Sequence, residues 1–76
     1  MTDFKLDRKG KNLKIKIKGI GEIVEIFVDD NGMKRAKLGT IELPTLSTDD
    51  GFNVFLPRFK ILITEHDNGE IIITES

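Results

Sequence analysis

The sequence predicts an all-β fold: a small antiparallel meander of about six to seven short strands, bent toward a barrel, with at most one helical turn. Three observations carry this. Apolar and polar residues alternate with period two along most of the chain, as in Leu13-Lys14-Ile15-Lys16-Ile17-Lys18. Asn-Gly occurs twice, at 31–32 and 68–69, between segments rich in β-branched residues. And no amphipathic stretch free of Gly and Pro is long enough to demand a full helix.

Taken in order, residues 3–7 alternate Phe4 and Leu6 with Lys5 and Asp7, and residues 12–18 repeat the pattern with a lysine face. Arg8-Lys9-Gly10-Lys11-Asn12 is the turn that makes these two a hairpin. Gly19-Ile20-Gly21 interrupts the alternation and marks a bulge, a corner or a close backbone approach. Residues 22–28 carry apolar side chains on both faces, which suits a central strand. Asp29-Asp30-Asn31-Gly32 follows, and Asn-Gly there suggests a type I′ turn with positive φ at both central residues.

Residues 33–43 read as one long strand, with Ala36, Leu38 and Thr40 on one face and Gly39 as a point of bending. Pro44 ends it. Residues 45–51 form the longest irregular stretch and the natural place for one helical or 3₁₀ turn, because Ser47, Thr48 and the Asp pair suit a helix start. Residues 52–56 resume the strand pattern until Pro57. Residues 59–65 also fit helical spacing through Phe59, Leu62, Ile63 and His66, but β-branched Ile61, Ile63 and Thr64 favour a strand. His66-Asp67-Asn68-Gly69 is then a turn, and residues 70–75 close the chain as its last strand.

With 76 residues the chain is expected to form a single β domain, residues 1–76. It has no Cys, hence neither a disulfide nor a thiolate metal site, and one His. No run approaches the ~20 apolar residues of a membrane helix, and residues 1–20 are charged where a signal peptide is apolar. A cytoplasmic protein with no membrane partner is the expectation.

No motif for catalysis or for a cofactor is visible. His66 falls in a turn, Ser47 and Ser76 lack a nucleophile-elbow context, and the glycines form neither a dinucleotide fingerprint nor a phosphate loop. The pairs Asp29/Asp30 and Asp49/Asp50 are adjacent in sequence, so their side chains diverge, and Asp29-Asp30-Asn31 lacks EF-hand spacing. The expectation is a protein that is not an enzyme, with no catalytic, cofactor-binding or metal-binding residues.

Charge is uneven. Residues 1–20 hold seven basic and two acidic side chains, a net +5, whereas residues 21–76 hold five and eleven, a net −6. Lys14, Lys16 and Lys18 form a comb on one strand face, with Lys9, Lys11 and Arg8 at its end, an electrostatic footprint compatible with nucleic acid. The plainer reading is a solvated edge, or a comb neutralised across the sheet by Glu22, Glu25 or Glu42. Tyr and Trp, which stack on bases, are absent.

Phe52 to Phe59 is the most aromatic segment. If Phe52, Val54 and Leu56 face inward, Phe55 faces outward beside Arg58, a pairing typical of a protein-binding hot spot. The first functional reading is therefore a small non-enzymatic module that binds a protein through Phe55, Arg58 and the loop residues Thr48, Asp49 and Asp50. Its size and style match regulators and inhibitors, including those of phages and other mobile elements. The alternative is a nucleic-acid-binding small β-barrel using Lys9, Lys11, Lys14, Lys16 and Lys18. The smallest β domains also leave strand edges exposed, so a homodimer joined at an edge is compatible with the sequence.

Overall fold

Turn residues divide the chain into nine strands among the residues described, 3–75, in a computed structural model. The first five are β1 (Phe4–Lys9), β2 (Asn12–Ile17), β3 (Val24–Val28), β4 (Lys34–Leu38) and β5 (Ile41–Glu42). They form one sheet in the order β1-β2-β3-β4-β5. The next four are β6 (Thr45–Thr48), β7 (Gly51–Leu56), β8 (Ile61–His66) and β9 (Ile71–Glu75), which form a second sheet in the order β6-β7-β8-β9. Every pairing is antiparallel and joins consecutive strands, so the all-β antiparallel meander stands. The chain divides into two compact units between Glu42 and Leu43, one per sheet, and neither sheet closes into a barrel.

Two strands more than expected arise at positions where local turn chemistry outranks the apolar pattern. The stretch 33–43 is not one bent strand: Leu38 pairs with Ile41, and Gly39 at φ 59° opens a two-residue turn between them. Positive φ at the first central residue is the type II′ pattern, which glycine meets without steric cost. The stretch 45–51 is not irregular: Thr45 to Thr48 pairs with Val54 to Gly51, and Asp49-Asp50 is the turn. The helical turn expected there lies instead at Pro57–Phe59, where Pro57 supplies a preset φ and Lys60 caps the turn by donating its N–H to the Pro57 carbonyl at 3.3 Å. As a result β8 begins at Ile61 rather than Phe59, and His66 is the last residue of that strand rather than part of the turn.

The two Asn-Gly turns share one geometry, but it is not type I′. Neither Asn31 nor Asn68 has positive φ, whereas Gly32 and Gly69 do, at 80° and 92°. Gly32 donates to the Asp29 carbonyl at 3.0 Å and Asp29 to the Met33 carbonyl at 2.9 Å, and His66, Gly69 and Glu70 repeat this pattern. This is a type I turn followed by a left-handed glycine, the three-residue hairpin loop with a bulge. Side chains reinforce both: Asp29 accepts from the N–H groups of Asn31 and Met33, each at 2.9 Å, and Asn68 accepts from that of Glu70 at 3.0 Å.

Alternation then sorts the side chains. In the first sheet Leu13, Ile15, Ile17, Val24, Ile26, Ala36 and Leu38 are buried, and in the second Phe52, Val54, Leu56, Ile61 and Ile63. Each Val, Leu, Ile or Phe side chain so buried contributes about 1.5–3 kcal/mol relative to exposure, the main term available to a chain without disulfides. Strand β3 is central in its sheet, as its two-sided apolar pattern implied. Among the described residues no helix is long and apolar enough to cross a membrane, which does not bear on β-barrels.

Candidate functional site

Phe55 lies on β7, where Phe52, Val54 and Leu56 are buried, so Asn53 and Phe55 take the opposite face. The register carries that face across the sheet. One row runs Phe55, Leu62, Thr74 and the next Leu46, Asn53, Thr64, Ile72. Leu46 and Ile72 are exposed at 54% and 42%, and Phe55 and Leu62 are half-buried. A shallow depression lies over the first row, lined by Phe55, Pro57, Lys60, Leu62 and Thr74. The polar positions of the second row are tied down: the Thr64 hydroxyl donates to Asn53 Oδ1 at 3.1 Å. This face is thus apolar at its margins and fixed at its centre.

Arg58 is exposed in the 3₁₀ turn directly after β7, beside Phe59, itself 41% exposed. Phe55 and Arg58 therefore sit at the same end of β7. Thr48, Asp49 and Asp50 do not. They lie at the opposite end of the strand, past Gly51, about 16 Å away along β7 at ~3.3 Å per residue. There the Thr48 hydroxyl donates to Asp50 Oδ1 at 3.1 Å, and the Asp67 N–H donates to the Asp50 carbonyl at 3.0 Å, joining the tip of the β6–β7 hairpin to the β8–β9 turn. The predicted protein-binding set is thus split into an aromatic end and an acidic end. Leu46, Leu62 and Ile72 join this face without any motif in the sequence to mark them. The usable signal was phase: Leu62 alternates against buried Ile61 and Ile63, as Phe55 does against Val54 and Leu56.

The lysine comb is likewise divided. In the first sheet the register aligns Asp7, Lys14, Glu25, Lys37 and Glu42, so charge alternates in sign across all five strands. Lys14 therefore stands in register between two acidic residues, Asp7 and Glu25, the second being one of the three expected to offset the comb. Glu25 also meets Lys37 at 3.5 Å, whose ammonium stands 5.4 Å from the centre of the Phe27 ring. Lys16 has a different neighbour, Lys5, directly opposite on β1. Lys18 follows β2 and donates its N–H to the Asp3 carbonyl at 2.9 Å, and Asp3, Phe4, Lys5, Lys16 and Lys18 line a second shallow depression. Lys9 closes β1 and Lys11 is in the turn, both exposed.

A closer ionic contact joins β4 and β5. Arg35 holds Glu42 with two guanidinium nitrogens, one of them at 2.7 Å, and reaches Asp29 at 3.6 Å. Hydrogen bonding to Glu42, then the charge of Glu42, raises the Arg35 guanidinium above its ordinary pKa. The Asp29 carboxyl is held below its ordinary value, chiefly by the Met33 N–H and also by the Asn31 N–H and Arg35, against an opposing cost of desolvation. These contacts fasten β5 and the turn that follows β3 to β4.

Among the described residues no three His, Asp or Glu side chains are grouped to hold a metal ion. Ser47 is on β6, and Ser76 lies outside the described residues. No protein-family model, curated protein or solved structure matches this chain.

Proposed function

We propose that this chain is a non-enzymatic binding module, a small regulator or inhibitor that grips a protein partner through the Phe55 face of its second sheet. One observation carries the reading: Leu46, Phe55, Leu62 and Ile72 share one face of a register-fixed sheet, with Arg58 and Phe59 at its end. Interfaces use such surfaces, rigid and apolar at the contact with an Arg or aromatic anchor. The acidic tip at Thr48, Asp49 and Asp50, at the other end of β7, would form the polar margin of that contact. The test is retention of proteins from the native host on the immobilised chain and on its Phe55→Ser variant. A hot-spot truncation costs ~2 kcal/mol or more, about a thirtyfold loss of affinity. A partner held equally by both forms overturns the reading.

A second reading, binding of a nucleic acid by the lysines, is favoured by the facing pair Lys5 and Lys16. Like charges directly opposite across a ladder are destabilising, so their presence beside Lys18 asks for a reason beyond folding. A mobility shift of a generic oligonucleotide at low salt, lost in the Lys14→Glu, Lys16→Glu, Lys18→Glu triple variant, would support it. No shift with the unaltered chain ends it.

A further inference from the structure

We infer that β9 is a pairing edge for a second copy of this chain, and that the pairing extends the Phe55 face across a two-fold axis. The inference deepens the protein-binding reading and rests on it for the function of the extended face. Each outer strand in the two sheets faces the problem of unpaired backbone groups, and three of the four carry a recognised safeguard. Strand β1 bears Lys5, Asp7, Arg8 and Lys9. Strand β5 is two residues long, and β6 has four and follows directly on Pro44. Strand β9 is Ile-Ile-Ile-Thr-Glu, five residues, the first four β-branched, with its one charge at the last position and neither Lys nor Pro. Its Ile72 is among the exposed large apolar side chains.

The ladder to β8 fixes which backbone groups point outward. His66 donates to the Glu70 carbonyl, so bonding to β8 recurs at every second residue, at Ile72 and Thr74. Ile71 and Ile73 turn their N–H and C=O groups to the open side. An antiparallel two-fold pairing that keeps the buried face of each sheet on the same side must join residues of like phase. The register centred on Ile73 does so. It pairs Ile73 with Ile73 of the second copy through both outward groups, sets Ile72 against Thr74, and sets Ile71 against Glu75. No like charges oppose one another in it: the one charged side chain of β9, Glu75, stands against Ile71.

This register also completes the candidate face. The row Phe55, Leu62, Thr74 would continue into Ile72, Thr64, Asn53 and Leu46 of the second copy. Each Phe55 depression, which ends at Thr74 in one chain, would then have Ile72 of the other as its far wall.

The chain has no Cys, so an engineered pair reports the register directly. In the Ile72→Cys, Thr74→Cys double variant the two thiols face each other between copies at close-spaced, non-hydrogen-bonded positions, the geometry a disulfide needs. Oxidation is expected to give a covalent dimer through two bridges, with the single variants giving far less. Sedimentation of the unaltered chain is expected to show a concentration-dependent dimer, and Ile72→Lys, which places a charge on the exposed edge, a folded monomer by circular dichroism. A chain that stays monomeric up to near-millimolar concentration, or a dimer that Ile72→Lys leaves intact while the double variant does not cross-link, overturns the pairing. Monomeric behaviour with partner binding still lost in Phe55→Ser leaves the binding reading standing. A cross-linked dimer whose Phe55→Ser form still holds its partner overturns that reading alone.

Discussion

At the scale of single residues, three positions have a fixed conformational or electrostatic role that a substitution would reveal. Gly51 opposes His66, and a Cβ placed on it would collide with the Glu65 carbonyl oxygen and approach both Glu65 C and His66 Cα to 3.3 Å. These are backbone atoms that cannot swing aside, so Gly51→Ala is expected to cost about 1–3 kcal/mol, as overpacking does. A lower urea midpoint at unchanged m-value would confirm it. Lys60 is the reverse case, a non-glycine residue at φ 53°. The left-handed region costs such a residue ~1–2 kcal/mol, and glycine loses ~0.5–1 kcal/mol in chain entropy, so Lys60→Gly is expected to gain about 0.5–1 kcal/mol. A drop in the melting temperature would refute that account. Asp29 supplies the pH dependence. Its folded-state pKa lies below the ordinary 3.8, so its contribution is fully present above that pH and is lost as pH falls through the lower folded value. Asp29→Asn keeps the acceptor oxygen for Asn31 and Met33 but removes the charge. The melting-temperature advantage of the unaltered chain over Asp29→Asn is expected to shrink as pH falls from 5 toward 2, and a constant difference would exclude the carboxylate as its source.

At the scale of strands and turns, the charge row makes a prediction in which two neighbouring lysines behave oppositely. Lys14 lies between Asp7 and Glu25, so Lys14→Glu would place three carboxylates side by side across three strands. Cross-strand pairs are worth ~0.2–1 kcal/mol each, and two favourable pairs become two repulsive ones, so a loss of about 1–2 kcal/mol is expected. Lys16→Glu faces Lys5 and converts a repulsion into an attraction, a gain of about 0.5 kcal/mol. Denaturant midpoints at low salt measure both, and equal effects would mean that register plays no part. Both lysines look alike in the sequence, where they belong to one uninterrupted comb. Only the pairing partner distinguishes them, and that partner is set by a turn. The two Asn-Gly sites show how far turn chemistry could be read. Their positions are evident, but not the type I plus bulge geometry, because Asp30 and Asp67 each add one more residue to the loop. At Gly39 the same residue signals a bend or a reversal, and Leu38 opposite Ile41 shows a reversal.

At the scale of the whole molecule, period-two alternation made the all-β antiparallel class readable, because a strand with one buried face writes that period directly into the sequence. The division into two sheets was not readable. Alternation does not encode where a meander stops pairing, and the break between Glu42 and Leu43 rests on Pro44 and on a two-residue β5 that no pattern reveals. The Phe55 end of the candidate face was readable for the same reason of phase, whereas the remoteness of Asp49 and Asp50 depended on their forming a hairpin tip. Charge adds a last consequence. Residues 1–42 carry ten basic and seven acidic side chains, and residues 43–76 carry two and six, giving +3 and −4. A polyanion would meet its attraction only in the first unit, and there Lys14 is already flanked by carboxylates. That leaves Lys5, Lys16 and Lys18 as the compact basic group. Three phosphates neutralised at ~0.7 counterion each give a slope of log K against log salt no steeper than about −2 for a single strand. A protein partner held at Phe55, Leu62 and Ile72 should instead show a slope near zero, since burial of apolar surface releases no condensed counterions. Measured over about 50–200 mM salt, a slope near zero supports the apolar face as the contact, and one of −4 or steeper would return the whole lysine comb, Lys9, Lys11 and Lys14 included, to the interface.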